Sequence, residues 1–492
     1  MRRVDKEYVR EITSRAEDYS QWYVDVATKA QLMDYAPIKG CMVFRPYGYG
    51  IWERIQGALD PRFKATGHQN AYFPLFIPES FLQREAEHFE GFVPEVAWVT
   101  RGGGEDLAER LAIRPTSEAM ICHMYSRWIQ SWRDLPMLLN QWCNVVRWEK
   151  ATRPFLRTTE FLWQEGHTCH ASEEEAEEEA LRMLGVYADC LQEDLALAVI
   201  PGLKTEAEKF AGALRTYTVE ALMSDGKALQ AGTSHNLGQF FARVFDILYL
   251  DRDGQQKHVW QTSWGVSTRL IGALIMVHGD DRGLVLPPRV APLQAVIVPI
   301  APQRQREEIL AAARELRDTL SGSYRVQLDD REEHSPGWKF NEWEMRGVPV
   351  RIELGPRDLA AGRVILVRRD NGEREEASNR GLPGRLGEVL DAVQDSLYRR
   401  AWAFTEKSTR VVRDMAAFQA TLEQDRGLIV AGWCGDAGCE ARIKGDTAAT
   451  IRCLPLDGVV TPVSSALGEA KGLPCVHCGG RSGRPVVFAR SY

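Results

Sequence analysis

Apolar residues recur with helical spacing among charged ones from about residue 5 to 35, which predicts a helical opening to the chain. From Met42 to Pro78 the pattern predicts a helix flanked by apolar segments, closing on Tyr72-Phe-Pro-Leu-Phe-Ile-Pro78. Gly102-Gly-Gly104 reads as a surface turn, and Asn144-Val-Val-Arg147 as the end of a buried strand. Ser172 precedes a run of glutamates, an N-cap followed by acids that suit the positive end of a helix dipole. A helical stretch and then an alternating segment fill the interval from His167 to Gln230, and the pair Pro287-Pro288 marks a boundary. Beyond it, Ala295-Val-Ile-Val-Pro-Ile predicts a buried strand, Gln303 to Leu320 an amphipathic helix, and Tyr324-Arg-Val-Gln-Leu, Val348-Pro-Val-Arg-Ile-Glu-Leu and Arg363-Val-Ile-Leu-Val further strands. That order predicts a mixed α/β unit. No internal repeat is evident.

At 492 residues the chain is too long for one core, and 44% apolar residues supply ample material for several. Three units are expected, over residues 1–288, 289–400 and 401–492, giving an α+β protein overall. The start, Met1-Arg-Arg-Val-Asp-Lys-Glu, lacks the apolar core of a secretory signal, and no run reaches the ~18 apolar residues of a spanning helix. A cytoplasmic protein with no membrane partner is the expectation. The net charge of −7 argues against a general nucleic-acid coat but leaves room for a structured RNA that meets local basic surface.

Ten cysteines divide unevenly. Cys41, Cys122, Cys143, Cys169 and Cys190 stand singly in apolar or helical settings, as buried reduced thiols do. Near the C-terminus, Cys434-Gly-Asp-Ala-Gly-Cys439 and Cys475-Val-His-Cys478 form two tight turns, each able to offer two thiolates to one ion. Four thiolates predict structural Zn2+ held by Cys434, Cys439, Cys475 and Cys478, with Cys453 and His477 as spare ligands. A closed site of this kind leaves no position for substrate.

The chemistry concentrates in Arg147-Trp-Glu149 followed by Arg157-Thr-Thr-Glu160-Phe161-Leu-Trp163-Gln-Glu165-Gly-His167. Guanidinium groups for phosphate, an aromatic face for a base and carboxylates for an amine suit a nucleoside triphosphate and a zwitterion held side by side. A salt-bridged surface hairpin is the bland alternative, and large aromatics beside paired acids count against it.

These residues resemble the second signature motif of class II aminoacyl-tRNA synthetases. Together with Arg114-Pro-Thr116-Ser-Glu118, Gln230-Ala-Gly232-Thr233-Ser-His235, Ser263-Trp-Gly265-Val-Ser267-Thr-Arg269 and Pro336-Gly-Trp-Lys339-Phe340-Asn-Glu-Trp-Glu344, they are similar to the prolyl-tRNA synthetase family, in the form shared by archaea, eukaryotes and some bacteria. The resemblance runs nearly end to end. It implies a class II antiparallel-sheet catalytic domain over 1–288, a mixed α/β anticodon-binding domain over 289–400 and a small zinc-binding α/β domain over 401–492. It also implies a homodimer built on the Met42 to Pro78 segment, and ATP, Mg2+, L-proline and tRNA(Pro) as cofactors and partners. The large editing insertion of many bacterial members is missing between His167 and Gln230.

On this resemblance Arg147 and Arg269 are the catalytic pair, Arg147 bridging the α-phosphate and the attacking carboxylate, Arg269 holding the γ-phosphate. Glu149 grips the adenine amino group or a magnesium-bound phosphate, Phe161 stacks on the purine and Arg157 holds the far phosphate. Thr158, Thr159, Gln230, Thr233 and Ser267 complete the ATP set, Thr159 through backbone contacts to the base. Thr116, Glu118, Trp163, Glu165 and His167, with Arg147, enclose proline, and His235 touches nucleotide or amino acid. A pocket for so compact a ring is expected to activate alanine and cysteine as well. Lys339, Phe340, Glu344, Arg351, Glu353 and Arg357 are the anticodon candidates, with strand-surface ion pairs as the alternative. Tyr492 corresponds to a terminal tyrosine near the catalytic pocket, or else is a frayed end. Threonyl- and glycyl-tRNA synthetases are the enzymatic rivals, and an RNA-binding paralogue without catalysis is the rival of another class.

Overall fold

The computed structural model describes residues 12–86, 96–424 and 426–492. The first part of the expected opening helix, including residues 5–11, lies outside them. Inside them a helix spans Tyr19–Lys29, where the Asp18 side chain accepts from the amides of Ser20 and Gln21.

Eleven strands form one sheet. In chain order its first half comprises helix α1 (Pro46–Ala65), strand β1 (Gln69–Asn70), helix α2 (Glu118–Trp128), β2 (Met137–Val146), β3 (Glu160–His170), helix α3 (Glu173–Glu193), β4 (Val199–Leu203), β5 (Arg215–Leu222), β6 (Ala228–Gly238), β7 (Trp260–Ser267) and helix α4 (Arg269–His278). From β4 the spatial order runs β4-β5-β6-β7-β3-β2-β1, antiparallel except for the last pair. Pro46 opens α1, where a missing amide costs nothing. The glutamate run opens α3 with the Ser172 hydroxyl on the Glu175 amide, as the sequence predicts.

Helices α1 and α3 cover one face of the sheet with Ile55, Phe63, Met183, Leu184 and Tyr187. Trp264 of β7 packs among Phe63, His68 and Tyr187. It lies so close to β3 that a Cβ on Gly166 would sit 2.1 Å from its ring, so only glycine fits between Glu165 and His167. The period of two then sends Phe161, Trp163, Glu165 and His167 to the opposite face.

A second sheet of five strands, Ala295–Pro299, Val326–Leu328, Val350–Leu354, Arg363–Arg368 and Arg374–Ser378, is parallel over three strands and antiparallel over the rest. Helix α5 (Pro336–Met345) lies beside it, and α6 (Leu382–Lys407) packs under it. The expected division at 400/401 falls inside α6.

The remaining elements are β8 (Thr409–Val411), β9 (Leu428–Trp433), helix α7 (Ala437–Thr447), β10 (Thr450–Pro455) and β11 (Arg484–Ala489). They extend the large sheet in the order β8-β9-β11-β10-β4, with Leu454 and Pro455 paired to Leu203 and Gly202. A Cβ on Gly202 would meet Cys453 at 2.6 Å, so the junction requires glycine there. Next to it Glu220 is buried between Lys204 and Arg452, at 2.8 and 3.0 Å. Burial opposes its charge, but the two cations hold its carboxyl at about 2.

Candidate active site and metal centre

A cavity of about 540 Å³ opens on the face of the sheet away from α1 and α3. Among the residues singled out from sequence, Thr116, Glu118, Arg147, Glu149, Phe161, Trp163, Glu165, His167, Gln230, Thr233, His235, Ser267 and Arg269 line it. Strand register brings them together. His167, Ser263, His235 and Thr216 stand in one row across four strands, and Glu165, Gly265 and Thr233 in the next.

One half is cationic. Arg147 follows β2, its Nε donates to the Pro115 carbonyl at 3.0 Å, and its guanidinium lies 5.5 Å from the ring centres of both Phe161 and Trp163. Burial lowers its pKa against the pull of Glu118, Glu165 and Glu149. Arg269 opens α4, with Nε 3.3 Å from the Leu156 carbonyl and Nη1 3.4 Å from that of Gln230. Burial, followed by repulsion from Arg147 and Arg157, lowers its pKa to about 10. Among the described residues neither arginine forms an ion pair, so each keeps donors for an anion.

The other half is acidic. Glu118 stands in the first turn of α2 and accepts from the Thr116 hydroxyl. Glu165 accepts from the Ser117 hydroxyl, from Gln141 Nε2 at 2.8 Å and from His167 Nε2 at 3.1 Å. Burial disfavours charge on both Glu165 and His167. Their mutual contact outweighs it, lowering the pKa of Glu165 and raising that of His167, with further help from Ser117 and Gln141 for the acid and from Glu118 for the imidazole. Trp163 forms a wall, its Nε1 donating to Cys143 Sγ at 3.2 Å. His235 Nδ1 meets Thr216 Oγ1 at 3.0 Å, and burial, reinforced by His167, pushes its pKa down to about 3.

Three expected ATP residues do not join this lining. Arg157 pairs with Glu149 at 3.7 Å outside it. Thr158 turns its hydroxyl to the Glu160 carbonyl, and Thr159 its hydroxyl to Lys39. Thr159 also donates its amide to the Gly40 carbonyl and accepts the Arg147 amide at its carbonyl, so both main-chain groups expected to meet the base are already engaged.

Sequence reasoning missed Phe210 and Thr216 and gave no site role to Ser263 and Gly265, all on the cavity wall. Period two along β7 points to Ser263 and Gly265 from Ser267. Phe210 comes from the turn between β4 and β5, where no periodicity operates, and its ring packs on His235 at 4.9 Å. Tyr492 is anchored, not frayed. Its hydroxyl reaches Asp225 at 2.5 Å and its ring lies under Arg153 at 5.2 Å.

Beside the second sheet, Ser335, Gly337, Trp338, Phe340, Asn341, Glu344 and Arg351 line a groove of about 420 Å³. Three anticodon candidates, Phe340, Glu344 and Arg351, face it, with Arg351 stacked 4.1 Å over Phe340. Lys339 does not: it is buried, with Nζ 3.0 Å from the Asp329 carbonyl. Glu353 is buried between Arg351 and Arg374, and Arg357 is exposed outside the groove lining. Trp338, given no role from sequence, stacks on His334 at 3.6 Å on the groove wall.

The thiols of Cys434, Cys439, Cys475 and Cys478 lie within 4.8 Å of one another. That donor set fits tetrahedral zinc. Burial disfavours a thiolate at Cys475, but amides of Cys478, His477 and Cys434 lower its pKa to about 7. Cys453 sits apart in a core with Val430 and Val487, and His477 is outside the group, so neither expected spare replaces a cysteine.

Comparison with known proteins matches three separate stretches of the chain. A class II tRNA synthetase core domain (G, H, P, S and T) matches residues 98–278, an anticodon binding domain 294–388, and a prolyl-tRNA synthetase C-terminal domain 415–492. The proline–tRNA ligase of Natranaerobius thermophilus is 58% identical over the whole of both chains. That of Rubrobacter xylanophilus is 55% identical over 99% of this chain and 100% of its own, and proline–tRNA ligase 2 of Clostridioides difficile is 52% identical over both entire chains.

Proposed function

The chain belongs to the prolyl-tRNA synthetase family of class II aminoacyl-tRNA synthetases, and we propose that it joins L-proline to tRNA(Pro) through a prolyl-adenylate. The observation that carries this reading is one cavity with two arginines, neither in an ion pair among the described residues, at one side and Glu118, Glu165 and His167 at the other. The prolyl ammonium sits between Glu118, Thr116 and Glu165, with its ring against Trp163, Phe210 and His167. Its carboxylate attacks the α-phosphorus of ATP, the new C–O–P linkage forms and pyrophosphate leaves.

Both reactants are anionic, so the site must offset their repulsion and hold oxygen and phosphorus in line. Arg147 spans the carboxylate and the α-phosphate, and Arg269 holds the γ-phosphate. Their burial strengthens both contacts, because neither guanidinium is surrounded by bulk water. Phe161 stacks on adenine, Glu149 receives the base amino group, and Gln230, Thr233 and Ser267 hold ribose and phosphate. Magnesium bound with ATP neutralises phosphate charge. In the second step the terminal ribose hydroxyl attacks the adenylate carbonyl, its proton passes to the phosphate, and AMP leaves. Alanine and cysteine enter the same pocket as weaker substrates.

Residues 1–288, 289–400 and 401–492 serve as catalytic, anticodon-binding and zinc-binding units, with Phe340, Glu344 and Arg351 meeting unstacked anticodon bases. Cys434, Cys439, Cys475 and Cys478 hold Zn2+ for a structural purpose. Exposed Tyr72, Phe76, Trp98 and Trp128 around the Phe76–Pro78 strand support a homodimer. No helix among the described residues is long and apolar enough to cross a membrane, and the cytoplasm is the proposed location. Charging of a tRNA(Pro) transcript with labelled proline tests the reading. Charging with threonine or glycine instead would overturn it.

A further inference from the structure

The wall of the amino-acid pocket is tied to the metal-binding end of the chain through a contact that the proposed mechanism does not use. Segment 204–210 leaves β4 and brings Glu208, Lys209 and Phe210 to the cavity lining. The segment has no regular secondary structure, so its shape depends on individual bonds. Thr205 makes three of them. Its carbonyl accepts the amides of Glu208 at 3.2 Å and Lys209 at 2.9 Å, closing the turn. Phe210 then donates its amide to Thr216 Oγ1 at 2.9 Å, the same oxygen that meets His235.

The other end of Thr205 leaves the catalytic unit. Its hydroxyl donates to Glu440 Oε1 at 2.6 Å, and both residues are buried, at 4% and 6% exposure. Glu440 lies in the first turn of α7, directly after Cys439, whose amide is capped by Asp436 at 2.9 Å. One turn further on, Lys444 pairs with Glu208 at 3.0 Å, and Glu208 also lines the cavity. The helix that carries one member of the four-cysteine cluster thus grips the turn at two points 235 and 236 residues away in sequence.

A buried carboxylate in such a place is costly unless it is hydrogen-bonded, and a hydroxyl partner fixes both groups in one geometry. Removing the hydroxyl leaves the carboxylate unsatisfied and frees the turn. The displacement falls on Phe210, at the amino-acid side of the cavity, whereas Arg269 and the phosphate side are held from β6 and α4.

We propose that Thr205 and Glu440 are positioning residues for amino-acid recognition, joining helix α7 of the cysteine-rich unit to the Phe210 wall of the pocket. The proposal rests on reading that cavity as the proline site. Their contact sets affinity for the amino acid and leaves the nucleotide half untouched.

The test is steady-state pyrophosphate exchange by the full-length protein, with proline and ATP varied separately, for wild type, Thr205→Val, Thr205→Ser and Glu440→Gln. Thr205→Val is expected to raise the proline KM about tenfold, the change from losing one satisfied buried hydrogen bond. The ATP KM stays within twofold, and zinc per chain is unchanged. Thr205→Ser and Glu440→Gln each retain a donor–acceptor pair and restore the proline KM to within threefold of wild type. A proline KM unmoved in Thr205→Val, or proline and ATP KM rising together, overturns the proposal. If Thr205→Val fails to fold, Glu440→Ala carries the same criteria. Wild type separates the two readings: no proline-dependent exchange there removes the cavity assignment itself, whereas normal exchange with an unmoved variant removes only the brace.

Discussion

Arg147 is held in place by the carbonyl of Pro115, 3.0 Å from its Nε, and not by a carboxylate. A main-chain anchor fixes the plane of the guanidinium without neutralising it, so the positive charge remains available to an anion arriving in the cavity. Pro115 belongs to the segment that also carries Thr116 and Glu118, and the same bond sets the arginine relative to the acid half of the site.

Arg147→Ala and Arg269→Ala should each lower kcat/KM for ATP-dependent activation by about 2–4 kcal/mol, roughly 30- to 1000-fold. Arg147→Lys should recover little, because a lysine ammonium cannot bridge two oxygens in one plane while still bonded to Pro115. Single-turnover adenylate formation measures this, and full activity in Arg147→Lys would contradict the bridging role.

The pH dependence of proline binding follows from His167. Burial disfavours its charge, but Glu165 and Glu118 overcome that and raise its pKa above the ordinary 6.5. Its stabilising ion pair is complete below 6.5 and is lost as pH climbs through the raised value. Loss of the imidazolium leaves Glu165 and Glu118 uncompensated, which favours the prolyl ammonium. The proline KM should therefore fall as pH rises through that raised value, while melting temperature loses the His167 contribution. A pH series on His167→Gln should show neither change, and an identical profile in that variant would exclude the assignment.

For the metal, protein purified without chelator should carry one zinc per chain, and Cys439→Ser should lose it together with thermal stability. Elemental analysis and calorimetry decide this. Full stability in zinc-free protein would remove the structural role.

Alanine lacks two carbons of the proline ring, and each methylene is worth about 1–3 kcal/mol of discrimination. Alanine-dependent exchange should be detectable at high concentration, roughly 30- to 20,000-fold below proline in kcat/KM. Its absence would mean that the walls formed by Trp163 and Phe210 reject small side chains by another route.

Much of this was legible in the chain. The alternation Phe161, Trp163, Glu165, His167 announces a strand with one chemical face, and the paired cysteine turns announce four thiols gathered at one place. What sequence concealed depends on contacts between distant segments. Lys339 and Glu353 read as anticodon candidates or strand-surface ion pairs, because nothing local reveals the contacts with Asp329 and Arg374 that hold them buried. Thr158 and Thr159 read as ATP contacts, Thr159 through its main chain, but the Lys39–Gly40 turn, the Arg147 amide and the Glu160 carbonyl occupy their polar groups. Phe210 sits in an aperiodic turn, and β10 reaches β4 across 250 residues, a pairing no local pattern encodes.

The central claim is that Arg147 and Arg269 act on one triphosphate beside a proline-sized acid pocket. Exchange of labelled pyrophosphate into ATP measures it most directly. The account predicts exchange that requires L-proline, is not supported by threonine or glycine, and collapses in both arginine-to-alanine variants while their folds persist. Exchange driven by threonine or glycine, or undiminished in either variant, would contradict it.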